Sequence, residues 1–187
     1  MQALRELATK LLEDKTVAVV IGWEEGPHGV RPSFASTAEA AQRLIFDVRC
    51  THNLATYLSP RRTNLLPLGK KAVVVKGCDA RAVAALLRES QLERDELVLI
   101  GVRCGGVVRD PAGPATLDAK TASNRCGDCE LREPTLVDHL LGELPPAPPP
   151  SRRDARIAEL DALPVAERWA FWTQELSRCV RCHACRE

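Results

Sequence analysis

Eight cysteines stand out in a chain of 187 residues. Three of them, Cys179, Cys182 and Cys185 in SRCVRCHACRE, recur at every third position. Two more, Cys126 and Cys129 in NRCGDCEL, form a Cys-x-x-Cys pair, while Cys50, Cys78 and Cys104 stand alone. Close spacings of this kind let thiolates converge on one centre, and thiolates ligate both zinc and iron–sulfur clusters. Disulfides are the competing use, but they belong to oxidising compartments. The N-terminus, MQALRELATKLLEDK, carries acids and lacks the apolar core of a secretory signal, so a cytoplasmic location is the expectation. Metal or redox chemistry is therefore the reading of the clustered cysteines.

The tail is the sharper signal. Cys-x-x-Cys-x-x-Cys opens the bacterial ferredoxin run, in which the fourth cysteine follows the third by four residues and precedes proline. That position falls beyond Glu187, so the motif reads as cut and a longer chain with a complete ferredoxin-like module is expected. His183 lies inside the motif. It is a candidate ligand if the tail binds zinc and a bystander if it binds a cluster.

The elements that must position the other cysteines follow from hydrophobic periodicity. Leu4, Leu7, Ala8, Leu11 and Leu12 mark an amphipathic helix over 3–14. TVAVVIGW (16–23), KKAVVVKG (70–77) and DELVLIGVR (95–103) are short β-branched runs that read as buried strands. EEGPHGVRPSFAS is a loop or hairpin. Ser36 and Glu39 suggest a capping box for a helix through about Phe46, and NLATYL (53–58) a further helical turn. DARAVAALLRES (79–90) predicts a helix, and PTLVDHLLGEL (134–144) another with Pro134 in its first turn. The strand–helix–strand order across 70–103 is a βαβ unit with parallel strands. The fold class is thus α/β, a small parallel or mixed sheet with flanking helices.

LPPAPPP (144–150) predicts a stiff, extended spacer. Beyond it two helical stretches, RRDARIAELDAL and PVAERWAFWTQELSR, carry Trp169, Phe171 and Trp172, either as packing residues or as a partner surface. The expected organisation is an α/β domain over 1–143, a Pro-rich linker over 144–151, a helical segment over 152–178, and the start of a ferredoxin-like motif over 179–187.

Within this scheme Cys78 falls at the carboxyl end of one strand and the amino end of a helix, where the helix dipole favours an anionic sulfur. Cys104 falls at the carboxyl end of the next strand. If those strands are neighbours, the two cysteines lie close, and the loop carrying Cys126 and Cys129 is long enough to return to the same edge. Gly105 and Gly106 leave room for close backbone approach. Lys76 and Arg103 precede the two strand-end cysteines and would favour the reduced state of a thiolate-bound cluster. Asp79 reads as a helix cap, and Cys50 as a small buried hydrophobe.

The stretch VKGCDARAVAALLRESQLERDELVLIGVRCGG, followed by RCGDCE and a ferredoxin opening, resembles the coenzyme-reducing hydrogenase and formate dehydrogenase beta-subunit family. More narrowly it resembles the short relatives associated with heterodisulfide-reductase-like complexes. The resemblance covers roughly residues 16–140 and the tail. It implies a 4Fe–4S cluster held by Cys78, Cys104, Cys126 and Cys129, and further clusters in a module begun by Cys179, Cys182 and Cys185; by their position alone, Lys76, Asp79 and Arg103 are the candidate cofactor neighbours. Members of the larger family bind FAD, so FAD is a candidate cofactor here, although the chain carries no G-x-G-x-x-G fingerprint.

The expected function is that of an electron-transfer subunit in an oxidoreductase complex, with other redox subunits, a flavoprotein or a heterodisulfide-reductase-like complex, as partners. The alternative is a structural zinc protein with one four-cysteine site and one site of three cysteines plus His183. A formal net charge of +1 argues against a nucleic-acid partner. No apolar run approaches the ~18 residues of a membrane span.

Overall fold

In a computed structural model, residues 2–59, 69–150 and 153–182 are described. The chain forms two compact units, Met1–Pro150 and Ser151–Glu187. The first is a mixed α/β unit built on a six-stranded sheet in which Gly29–Ala35, Val19–Gly26, Lys71–Val75, Leu97–Val102 and His139–Leu141 are neighbours in that order and Leu44–Ile45 also pairs with Val19–Gly26.

Helix α1 (Gln2–Glu13) buries Leu4, Ala8 and Leu11, spaced by four and three residues as an amphipathic helix requires. Strand β1 (Val19–Gly26) turns back into β2 (Gly29–Ala35), so the Gly/Pro-rich stretch is a hairpin. Gly29 adopts φ 98°, and a Cβ there would run into the backbone of Pro111 and Ala112.

The expected helix through Phe46 is a single turn, α2 (Ala38–Ala41), capped by Thr37 rather than Ser36. Thr37 Oγ1 accepts from the Ala40 N–H at 3.2 Å. The chain then leaves the helix to form β3 (Leu44–Ile45) against β1, which buries Leu44 completely. Burial of an apolar side chain on an open strand edge outweighs local helix propensity here.

The βαβ unit forms as expected. Strand β4 (Lys71–Val75) leads into α3 (Gly77–Arg88) and back to β5 (Leu97–Val102). β4 and β5 are adjacent and parallel, with Val75 opposite Gly101. Ala72, Val73, Val74 and Val75 are all shut off from solvent, as are Leu99 and Ile100, the pattern of strands covered on both faces. β1 lies parallel to β4 through Val19, Val20 and Ile21.

The helix expected over 134–144 is not formed. Its core is strand β6 (His139–Leu141), parallel to β5 with Ile100 opposite His139 and Val102 opposite Leu141. The apolar spacing of Leu136, Val137, Leu140 and Leu141 suits a helix, but β5 offers an unpaired edge. Asp138 secures the pairing. Its Oδ2 accepts from the Leu99 N–H at 2.7 Å, and its own N–H donates to Leu99 O at 2.9 Å.

The described residues of the second unit form two helices, α5 (Arg153–Asp161) and α6 (Val165–Ser177), numbered after the one-turn helix α4 (Asn124–Gly127) of the first unit. No helix among the described residues is long and apolar enough to cross a membrane.

Candidate functional site

The carboxyl edge of β4 and β5 carries the site. At the end of β4 the chain passes through Lys76 into α3, whose first turn holds Cys78 and Asp79. Asp79 Oδ2 accepts the Lys76 backbone N–H at 3.1 Å, so the acid caps the helix that presents the thiol. Lys76 is itself buried. Its ammonium donates to Cys50 O at 3.0 Å and His52 O at 2.9 Å, and pairs with Asp79 Oδ2 at 2.9 Å. Three donors thus meet three oxygens. The same ammonium lies 4.2 Å from the centre of the Trp23 ring.

Cys104 follows β5. Its N–H donates to Arg132 O at 2.9 Å, and its sulfur accepts the Gly106 N–H at 3.3 Å. Gly106 has φ 109°, a conformation that suits glycine and aims its N–H at the sulfur.

The chain beyond is brought back by a bridge between Val108 and Ala122 and by Ser123 N–H donating to Val107 O at 2.8 Å. This places α4, with Cys126, beside Cys104. The Cys129 N–H donates to Cys126 O at 3.1 Å, which folds the Cys-x-x-Cys pair into a tight turn. Arg125 ties the turn to the loop after Cys50 by donating to Thr51 O at 2.8 Å. The stretch after Cys129 then presses on α3: a Cβ on Gly77 would collide with the Leu131 carbonyl.

The outcome is one cavity of about 510 Å³ lined by Cys78, Cys104, Cys126 and Cys129 together with Lys76 and Asp79. Four thiols from three separate segments face one space. Cys126 is buried, Cys104 and Cys129 are half-buried, and Cys78 is the most open. Desolvation pushes the Cys78 thiol up to about 11, with the Asp79 charge adding to it and Lys76 opposing. Cys104 is also raised by desolvation, against the Gly106 N–H and Lys76. At Cys78 the carboxylate of the pair outweighs the ammonium; at Cys104 the order is reversed. Lys76 and Asp79 therefore act on both thiols with opposite sign.

Arg103 lies elsewhere. It pairs with Glu133 at 2.5 Å, donates to Gly142 O at 2.6 Å, and lines a neighbouring apolar cavity of about 550 Å³. Gly105 and Gly106 admit the proline run: Cβ atoms on them would meet Pro145 and Pro148 at 2.9 Å. Pro148 is buried and lines the cysteine cavity. Cys50 is fully buried in the core. Arg81, Arg125 and Arg132 also line the cavity and were not singled out from sequence. Only Arg125, next to Cys126, carried a positional hint.

In the second unit Cys179 and Cys182 are exposed, and the Arg181 N–H donates to Cys179 sulfur at 3.4 Å. Cys185 and His183 lie outside the described residues. Among the described residues no three His, Cys, Asp or Glu side chains gather as ligands around a single ion. Each thiolate of a 4Fe–4S cubane binds its own iron, so the four ligands of such a cluster need not meet at one point.

No protein-family model matches the chain, and no curated protein matches it. Among solved structures, a chain of the F420-reducing nickel–iron hydrogenase complex from Methanosarcina barkeri is similar at 20% identity and a TM-score of 0.46. The match covers 57% of this chain and 38% of that one, so this chain spans well under two thirds of its neighbour's length.

Proposed function

We propose that this protein is an electron-transfer subunit of an oxidoreductase complex, in which Cys78, Cys104, Cys126 and Cys129 hold a 4Fe–4S cluster. One observation carries the reading: four thiols from the ends of two adjacent parallel strands and from a returning Cys-x-x-Cys turn line a single cavity. A cluster bound there supplies one-electron transfer. The chain's own residues do the rest. Asp79 and the first turn of α3 hold Cys78 in place, and the Gly106 N–H donates to the Cys104 sulfur, a contact that favours electron-rich thiolate. Pro148 and the turn at Cys126 form part of the cavity wall.

Cys179, Cys182 and Cys185 begin a second, ferredoxin-type site in this proposal, which makes the chain a relay between redox subunits. A flavoprotein or a heterodisulfide-reductase-like complex is the partner class that the sequence resemblance suggests.

The rival reading is structural zinc. It would take the same four cysteines at one site and Cys179, Cys182, Cys185 and His183 at the other. The deciding experiment is iron, zinc and acid-labile sulfide analysis on anaerobically purified protein, with a visible spectrum. About four iron and four sulfide per chain, with broad absorption that bleaches on reduction, is expected. Roughly one or two zinc per chain without sulfide would sink the redox reading. Cys104→Ser should lower the iron content markedly, whereas Cys50→Ser should leave the iron-to-protein ratio of the folded material unchanged.

A further inference from the structure

Helix α6 presents two faces of different character. Phe171 is turned toward α5, with the Arg156 guanidinium 5.5 Å from its ring centre. Another face carries Val165, Trp169, Trp172 and Leu176, exposed by 73%, 74%, 52% and 70%. Their spacing of four, three and four residues is that of a heptad seam. An exposed apolar stripe of this kind marks an interaction surface.

The residues flanking the seam indicate the occupant. One flank carries Arg168 and Glu175, one heptad apart; the other carries Ala166 and Thr173, which are small and uncharged. In a parallel helix pair, opposite flanks face each other and Arg168 would meet Thr173. In an antiparallel pair, like flanks face each other and Arg168 of one copy meets Glu175 of the other, twice by symmetry. The same alignment sets Val165 opposite Leu176 and Trp169 opposite Trp172, so every layer of the seam is apolar. Flanking charges set orientation in such pairs. Within the chain, Arg168 has Asp161 at 4.0 Å and Glu175 has Arg178 at 3.1 Å, but both pairs are exposed and yield easily to an intermolecular partner.

We propose that α6 pairs antiparallel with α6 of a second copy of this chain, through Val165, Trp169, Trp172 and Leu176, with Arg168 and Glu175 fixing the orientation. The helix has 13 residues, so the contact is small and the dimer is concentration-dependent.

Sedimentation equilibrium of the full chain over a wide concentration range tests this, with reductant present so that Cys179 and Cys182 cannot crosslink copies. The mass should move from one chain toward two as concentration rises, and Trp169→Asp should hold it at one chain while circular dichroism shows the helix content retained. Arg168→Glu and Glu175→Arg should each weaken dimerisation by about tenfold, and mixing the two variants in equal amounts should restore it. A monomer up to ~1 mM overturns the proposal, since that is the weak end of measurable association. So does a mixture that dimerises no better than either variant alone, because only antiparallel pairing makes the two variants complementary.

Discussion

Lys76 Nζ stands 2.9 Å from Asp79 Oδ2, in a pair whose side chains are only 3% and 1% exposed. The pair joins three things at the carboxyl end of β4: the cap of α3, the loop carrying Cys50 and His52, and the wall of the cysteine cavity. A buried pair adds little net stability, but removing one partner strands a charge in the interior. Lys76→Met should therefore cost about 3 kcal/mol or more in chemical denaturation, and the Lys76→Met/Asp79→Asn double variant less than the sum of the singles. Additive single effects would show that the pair is not coupled.

Gly77 is where α3 and the Cys126–Cys129 segment come closest. A methyl group there meets the Leu131 carbonyl, and neither backbone can move without shifting a cysteine. Gly77→Ala should destabilise the first unit by roughly 1–3 kcal/mol, the cost of overpacking, despite alanine's better helix propensity. A variant as stable as the parent, measured by denaturant midpoint, would contradict this contact.

Glu24, on β1, predicts an acid limb in the stability profile. Burial alone would raise its carboxyl, but hydrogen bonds from Ser33 at 3.0 Å, Arg31 at 2.7 Å and Arg43 at 3.4 Å outweigh burial and hold it below its ordinary value of 4.5. The unfolded chain then takes up the proton first as pH falls. The contribution is complete above about pH 4.5 and is lost as pH drops through the folded value. Glu24→Gln should flatten the slope of unfolding free energy against pH in that window. An unchanged slope would assign the acid limb to other carboxylates.

Cys50 and the tail cysteines should separate in reactivity. Cys50 has no solvent exposure, and desolvation pushes its thiol up to about 12, against the Asp47 N–H that donates to its sulfur at 3.3 Å. Cys179 and Cys182 are exposed. At pH 8 iodoacetamide should label Cys50 more than about a hundredfold more slowly than the tail in folded apoprotein, because the thiolate is the reacting species. Comparable labelling by mass spectrometry would mean that the core around Cys50 opens.

Much of this architecture is legible in the residues alone. KKAVVVKG and DELVLIGVR are β-branched runs too short for helices, and the amphipathic stretch between them makes a βαβ unit the economical reading. Parallel strands then set Cys78 and Cys104 at one edge, because both cysteines directly follow a strand in the same direction. The Cys-x-x-Cys spacing of Cys126 and Cys129 is a local property and needs no fold to be recognised.

What the tertiary structure decided are choices between locally equivalent options. PTLVDHLLGEL has helical spacing, yet its centre is β6 because β5 had an edge to fill and Asp138 bonds to Leu99. Arg103 and Lys76 both precede a cysteine, but the alternation of a strand end sends one toward Glu133 and the other beneath Trp23. The proline run reads as a spacer, yet Gly105 and Gly106 leave a surface on which Pro145 and Pro148 pack. Periodicity and spacing reside in consecutive residues, so the sequence by itself determined the strands, the helix between them and the paired cysteines. Edge pairing, side-chain direction and the docking of extended chain depend on residues distant in sequence, and only the folded molecule brings those together.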